Sequence, residues 1–349
     1  MYALSLKIID RSIIFQVTRG FEMSTKIPER ESAERPAGYQ EPSLSPTGLE
    51  HIPHTFARGV HALMANMPPK DNNGLIVGSR AALLIDAGFT PQVARRLQAQ
   101  VAELSDVPLR YLVNTTYHGD HTFGNASYPE EVTVVSSRAN RDNMTDLARE
   151  KQIRSGHLPG EEALLDEVRS WRLPDVTFDE RAEIDLGGRI VQLWQFGPGN
   201  GPGDTVVYVP DVGVAWTGNY ITHAGVAPML LQGGPEPYLQ SLRKMRQTLP
   251  GLRTVVPGHG PMGDGPAAID FLTTYFSRLL EEMAQLRDLE VEEAIAATTN
   301  PWDQGLDPSL SAALAAYGLP AGRAEKSMLE ICRNLHRLNA LATYRALYG

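Results

Sequence analysis

A short apolar run that ends in a glycine-bearing polar loop recurs four times in this chain, and that pattern constrains the fold more than any other feature. Residues 109–113 run into Asn114-Thr115-Thr116-Tyr117-His118-Gly119-Asp120-His121-Thr122-Phe123-Gly124-Asn125, and residues 190–194 precede Gly197-Pro198-Gly199-Asn200-Gly201-Pro202-Gly203-Asp204. Residues 214–216 lead into Thr217-Gly218-Asn219, and residues 254–256 into Pro257-Gly258-His259-Gly260-Pro261. At a strand end, glycines around a single polar residue let the backbone approach a ligand, and loops at one edge of a sheet can meet.

Further β-rich runs at 60–64, 74–77, 81–85, 132–135 and 205–209 bring the expected strands to about nine. Helical windows at 91–104, 138–153, 161–170 and 237–249 lie between them, so an α/β layered fold is expected. After Gly265 the strands stop. Ile269, Leu272, Phe276, Leu279, Met283 and Leu286 alternate spacings of three and four, and a second such window covers 324–347, which predicts a helical tail. The expected organisation is an N-terminal extension and linker over 1–55, an α/β domain over 56–264 and a helical subdomain over 265–349. The Pro-, Glu- and Ser-rich composition of 24–50 marks the linker, and Met23 is an alternative start to Met1. Charges interrupt every apolar run before it reaches the length of a membrane span, and 1–18 lacks a small-residue cleavage site, so a cytoplasmic protein without a membrane partner is expected.

The chemistry is bounded by composition. With 32 Lys+Arg against 41 Asp+Glu the net charge is −9, which argues against a nucleic-acid partner. The single cysteine, Cys332, leaves His and carboxylates as the only cage for a metal. His118, Asp120 and His121 place two imidazoles and a carboxylate within four residues, a set suited to Zn or Fe rather than Mg or Ca. Only an irregular loop lets adjacent Asp120 and His121 converge; the plainer alternative is a polar loop that caps a helix. His259, in Gly-His-Gly, is the natural additional ligand. His223 reads first as a pocket-wall or surface residue, with a substitute ligand as the alternative. Tyr117 is a candidate donor to a developing oxyanion, with packing as the alternative. His51, His54, His61, His157 and His336 read as solvated or structural.

Taken together, these motifs resemble the metallo-β-lactamase superfamily from about Ala57 to Pro261. The resemblance implies a four-layer αββα sandwich with its site at the edge of two packed sheets, and a supporting role for Asp86 in the Leu-Leu-Ile-Asp-Ala-Gly stretch. The chain departs from the family pattern at three points. Thr116 stands where the family has its first His, Asn200 where it has the third, and Asn219 where it has the metal-bridging Asp. In family terms the first metal position keeps only His118, whereas the second keeps Asp120, His121 and His259. One divalent metal is therefore expected, Zn first, with Fe or no metal as the alternatives; Thr116, Asn200 and Asn219 are left as surrounding or substitute groups.

The Asn334-Leu335-His336-Arg337 stretch and the helical tail look like those of bacterial polyketide cyclase/thioesterases of this fold, which implies a large acyl or aromatic substrate. The apolar segment 226–231 is suited to cover it. The leading expectation is a hydrolase of a thioester, lactone or related small-molecule acyl substrate. It would use one metal-bound water, with His118 as general base. The alternative is a metal-poor pseudoenzyme or small-molecule binding protein on the same fold. Oligomeric state does not follow from these residues.

Overall fold

The computed structural model describes residues 34–320 and 322–349. The choice between Met1 and Met23 therefore lies outside the described residues. Seven strands form the first sheet in chain order: β1 (His51–Ala57), β2 (Val60–Ala65), β3 (Asn73–Val77), β4 (Ala82–Ile85), β5 (Leu109–Val113), β6 (Thr133–Ser137) and β7 (Val176–Phe178). The first four pair antiparallel, and β4 to β7 pair parallel. The second sheet holds β8 (Arg181–Asp185), β9 (Ile190–Trp194), β10 (Val206–Val209), β11 (Val214–Gly218), β12 (Thr254–Pro257) and β13 (Gly263–Asp264), in the order 13-12-11-10-9-8.

The period-two alternation of strand side chains builds the layers. Leu83 and Ile85 of β4 face the second sheet, where they meet Val207, Val209, Val214 and Trp216. Ala82 and Leu84 face the other way, onto Val93, Ala94, Leu97 and Val101 of α1 (Pro91–Leu104). That helix starts where Thr90 caps the N–H of Val93 and Pro91 occupies its first turn. Each Val, Leu or Ile side chain fully buried in this way contributes about 1.5–3 kcal/mol. At the centre of the sandwich Gly74 makes room for Trp216, because a Cβ there would lie 2.3 Å from the indole Nε1. The same indole N–H donates to Asn73 O at 3.2 Å.

Between the sheets' contributions run α2 (Gly119–Thr122), α3 (Arg138–Asn143), α4 (Leu147–Ser155) and α5 (Pro235–Thr248). The tail adds α6 (Gly265–Met283), α7 (Val291–Ala297), α8 (Pro308–Ala315) and α9 (Arg323–Tyr348). Val206, Tyr208, Ala215 and Val255 on the outer face of the second sheet share one core with α5, α6 and α9. The layers are thus helix, sheet, sheet, helix, as the resemblance implied, and the tail helices continue the fourth layer.

Residues 34–50 have no regular structure yet are not a free linker. Leu44 and Leu49 are buried, and Leu44 packs with Phe89, Phe123 and Leu158. Ala37 N–H donates to Glu292 Oε1 at 2.9 Å and Gln40 N–H to Asn334 Oδ1 at 3.3 Å, while Asn334 and Arg337 donate back to the carbonyls of Gln40 and Ala37. The described N-terminal segment is thereby clasped to the last helix. Among the described residues, no helix is long and apolar enough to cross a membrane.

Candidate metal centre

The recurring loops meet at one end of the sandwich. Among the described residues, one group of side chains brings ligand atoms within 4.8 Å of one another: Asp71, Asp120, His121 and His259. Asp120 Oδ2 lies 3.3 Å from His121 Nε2 and 3.2 Å from His259 Nε2. Asp120 and His121 converge from the single helical turn of α2, where an irregular loop was expected. Gly119 N–H donates to the buried Glu150 Oε1 of α4 at 2.8 Å, and Thr122 Oγ1 closes onto His118 O at 2.9 Å.

His121 is aimed from behind by Asp86. Its Nδ1–H donates to Asp86 Oδ2 at 2.9 Å, which leaves Nε2 for the cluster. Asp86 sits at φ 62°, in the left-handed region that non-glycine residues seldom occupy. The N–H and hydroxyl of Thr115 hold it there, each bond at 2.7 Å. His259 is fixed in the same way, with Nδ1–H donating to Pro69 O at 2.8 Å. Gly258 is required beside them, since a Cβ would come within 2.7 Å of His121 Cε1.

The electrostatics follow from burial and the neighbouring carboxylates. Burial works against the His121 imidazolium, but Asp120 and Asp86 lift it to about 10. Burial would raise the Asp120 carboxyl, yet His121 and His259 hold it well below the usual range. Burial raises Asp71. The donor set is two imidazoles and two carboxylates, and Oδ1 of both Asp71 and Asp120 is buried without a hydrogen-bond partner. Buried charge of this kind is costly unless a cation meets it, so these residues fit a divalent ion. Binding it requires His121 to release a proton.

The remaining expected residues fall on the other side of Asn219. Its Oδ1 accepts from His121 Nε2 at 3.2 Å, and its Nδ2 donates to His118 Nδ1 at 3.1 Å. Burial, then the charge of Arg154, hold His118 well below its ordinary value. Thr116 is buried and faces Asp204, whose carboxyl burial pushes up to about 6. The Asn200 amide donates to Met229 O and secures the loop beyond β11. Neither joins the four-residue group.

Three further residues find their places. The Tyr117 hydroxyl donates to Gln232 Oε1 at 2.9 Å, so this side chain anchors a loop and its candidacy as an oxyanion donor is not supported by its geometry. His223 donates to Ala224 O and packs on Gly263, outside the group, which is the wall role rather than that of a substitute ligand. His157 is buried, with Nδ1–H donating to Pro42 O at 2.9 Å, and borders the cleft. Sequence reasoning missed Asp71. It precedes β3 in what reads as an ordinary turn, and only its bridge pairing with His259 brings it to the cluster.

Asp120 and His259 of the cluster line a cleft of about 680 Å³, its open mouth included. His118, Asp120, Asn219 and His259 supply its polar lining with Arg154 and His157, and Leu44, Val226, Met229, Met328, Ile331 and Leu335 are among its apolar lining.

A helix–sheet–sheet–helix sandwich whose strand-end loops gather imidazoles and carboxylates under a cleft defines a metallo-hydrolase architecture. Residues 70–259, just over half of the chain, match the metallo-β-lactamase superfamily, and the chain belongs to that family. Most members are hydrolytic enzymes. Among solved structures, the metallo-β-lactamase from Pontibacter korlensis is 19% identical with a TM-score of 0.50, covering 65% of this chain and 99% of that one. The metallo-β-lactamase from Erythrobacter litoralis gives 19%, 0.50, 65% and 96% in the same terms. A variant of the sec-alkyl sulfatase PisA1 aligns at 14% identity and a TM-score of 0.59, over 83% of this chain and 49% of its own length. These likenesses speak to the fold.

Proposed function

We propose that this chain is a hydrolase dependent on one divalent metal, zinc in the first place, acting on a small-molecule thioester, lactone or related acyl compound. Polyketide-type thioesters are one such class. The observation that carries the reading is the convergence of Asp120, His121 and His259 beneath an apolar cleft. A metal held there would supply an activated water and polarise the substrate carbonyl. Asp86 and the Pro69 carbonyl keep the two imidazoles oriented. The apolar walls hold the acyl part and exclude water. Neither nucleic acid nor a membrane has a place in this reading, and a cytoplasmic location is part of it.

The geometry shifts the part given to His118. In the neutral ring its Nδ1 accepts from Asn219, so the proton resides on Nε2 and the side chain is a hydrogen-bond donor in this arrangement. We therefore assign it support of charge developing on the substrate oxygen, in place of proton abstraction. The amide bond from Asn219 to His118, in place of a metal-binding carboxylate, also favours a second reading, a binding protein without turnover.

Elemental analysis of protein purified without chelator, paired with a panel of acyl thioesters and lactones, tests both. One metal per chain and chelator-sensitive hydrolysis are expected. Two metals would overturn the mononuclear reading, and no metal with chelator-insensitive ligand binding would favour the binding protein. In His118→Ala the metal should stay while kcat falls about 10²-fold with the pH profile unmoved. Loss of the acidic limb of that profile would restore the base role.

A further inference from the structure

Asp71 matches none of the family motif positions on which the sequence reading rested, yet it is the residue of the group whose chemistry the fold leaves most exposed to question. The segment carrying it is stitched to the loop after β12. Asn72 N–H donates to Gly258 O at 2.7 Å, and its side-chain amide donates to Pro257 O at 2.9 Å and to Gly260 O at 2.8 Å. Asp71 is thereby registered opposite His259 and is only 2% exposed.

One simple role for such a carboxylate is to hold His259 in place from behind, as Asp86 holds His121. The bonding argues against it. Asp71 Oδ1 is 3.3 Å from His259 Nδ1, but that N–H is already given to the Pro69 carbonyl at 2.8 Å, so the ring is oriented without Asp71. What remains is a buried carboxylate with an oxygen that accepts no hydrogen bond. Such a group costs free energy in any fold that gives it no cation. Its ligand atom lies within 4.8 Å of those of Asp120, His121 and His259.

We propose that Asp71 is a fourth protein ligand of the ion, a carboxylate that supplies from the β3 side the negative charge that Asn219 does not carry at the end of β11. The inference rests on the reading that a metal binds this group. Two carboxylates then balance a divalent ion, and the oxygen-rich set extends the range of acceptable ions beyond zinc toward iron and manganese.

The test compares wild-type protein with the near-isosteric Asp71→Asn, both stripped of metal. Each is titrated with zinc against a chromophoric chelator, and the cobalt-loaded forms are compared by visible absorption. Expected are one zinc per wild-type chain, binding weakened by about 10²-fold or more in the variant, since even outer-shell losses reach that range, and an altered cobalt spectrum. The metal-free variant should melt no lower than wild type, because a buried carboxyl with an oxygen that accepts no hydrogen bond has been replaced by an uncharged amide. Unchanged zinc binding overturns the proposal. So does weaker binding with an unchanged cobalt spectrum, which would make Asp71 a positioning residue for His259. A lower melting point of the metal-free variant counts against it in the same way. Wild-type protein that binds no zinc overturns the metal reading and this inference together, whereas the other adverse results overturn only the role of Asp71.

Discussion

Two groups of side chains face each other across Asn219. On one side Asp71, Asp120, His121 and His259 gather carboxylate and imidazole within 4.8 Å, with Asp86 behind them. On the other, His118, Thr116 and Asn200 are buried, with His118 Nδ1 accepting from the Asn219 amide and the Asn200 amide donating to Met229 O. The backbone framework is common to both. The difference teaches that this fold separates scaffold from occupancy: the charge of a few loop-end side chains decides whether a position attracts an ion or closes on itself through amide bonds.

The largest expected effect breaks the contrast outright. The combined variant Thr116→His, Asn200→His and Asn219→Asp should raise metal content from one to two per chain by elemental analysis; a stoichiometry that stays at one would show that side-chain identity is not what silences the neutral side. A smaller effect sharpens the charged side. Removing the Asp86 carboxylate in Asp86→Ala frees His121 Nδ1 and should weaken zinc binding by about 10–100-fold, read by chelator competition, while an unchanged affinity would reject Asp86 as the orienting partner. The smallest effect concerns the acid of the neutral side. Burial pushes Asp204 up to about 6, so its ionised form is disfavoured in the fold and its penalty grows as pH rises through that value. Asp204→Asn should therefore stabilise the metal-free protein by about 1–3 kcal/mol above pH 6, with the gain shrinking below it. Thermal melts at pH 8 and pH 5 check this, and an equal shift at both would sink the titration argument.

The parts of the molecule that were legible in the sequence are those encoded by neighbours in the chain. The loop after β5 announced itself because His118, Asp120 and His121 lie within four residues, and His259 because glycines flank it. The strands of the sandwich interior were readable as apolar runs since both faces are covered. Asp71 was not readable, because nothing near it in sequence records that β3 and the loop after β12 are stitched together. The strand β1 begins at His51, ahead of Phe56 where the apolar texture starts, since it is an edge strand with Ile52 exposed and four consecutive exposed residues. β7 and β8 escaped notice for a related reason, as short, half-exposed strands lack a hydrophobic signature. The helical window over 138–153 is divided in the structure, where Asp146 caps the N–H of Arg149 and starts α4 anew. Tyr117 is a different case: its position was clear, but the direction of its hydroxyl is set by Gln232, more than a hundred residues away.

The clasp between residues 37–40 and α9 places Pro42 and Leu44 from one extremity of the described chain beside Met328, Ile331 and Leu335 from the other, all on the walls of the cleft. None of these five falls within the family-matched residues 70–259. The cluster is thus written inside that stretch, whereas the walls of the cleft are shared between it and the two extremities. Drift in the collar formed by the two extremities can retune which molecules the cleft accepts, and leave the surroundings of the four-residue group as they were.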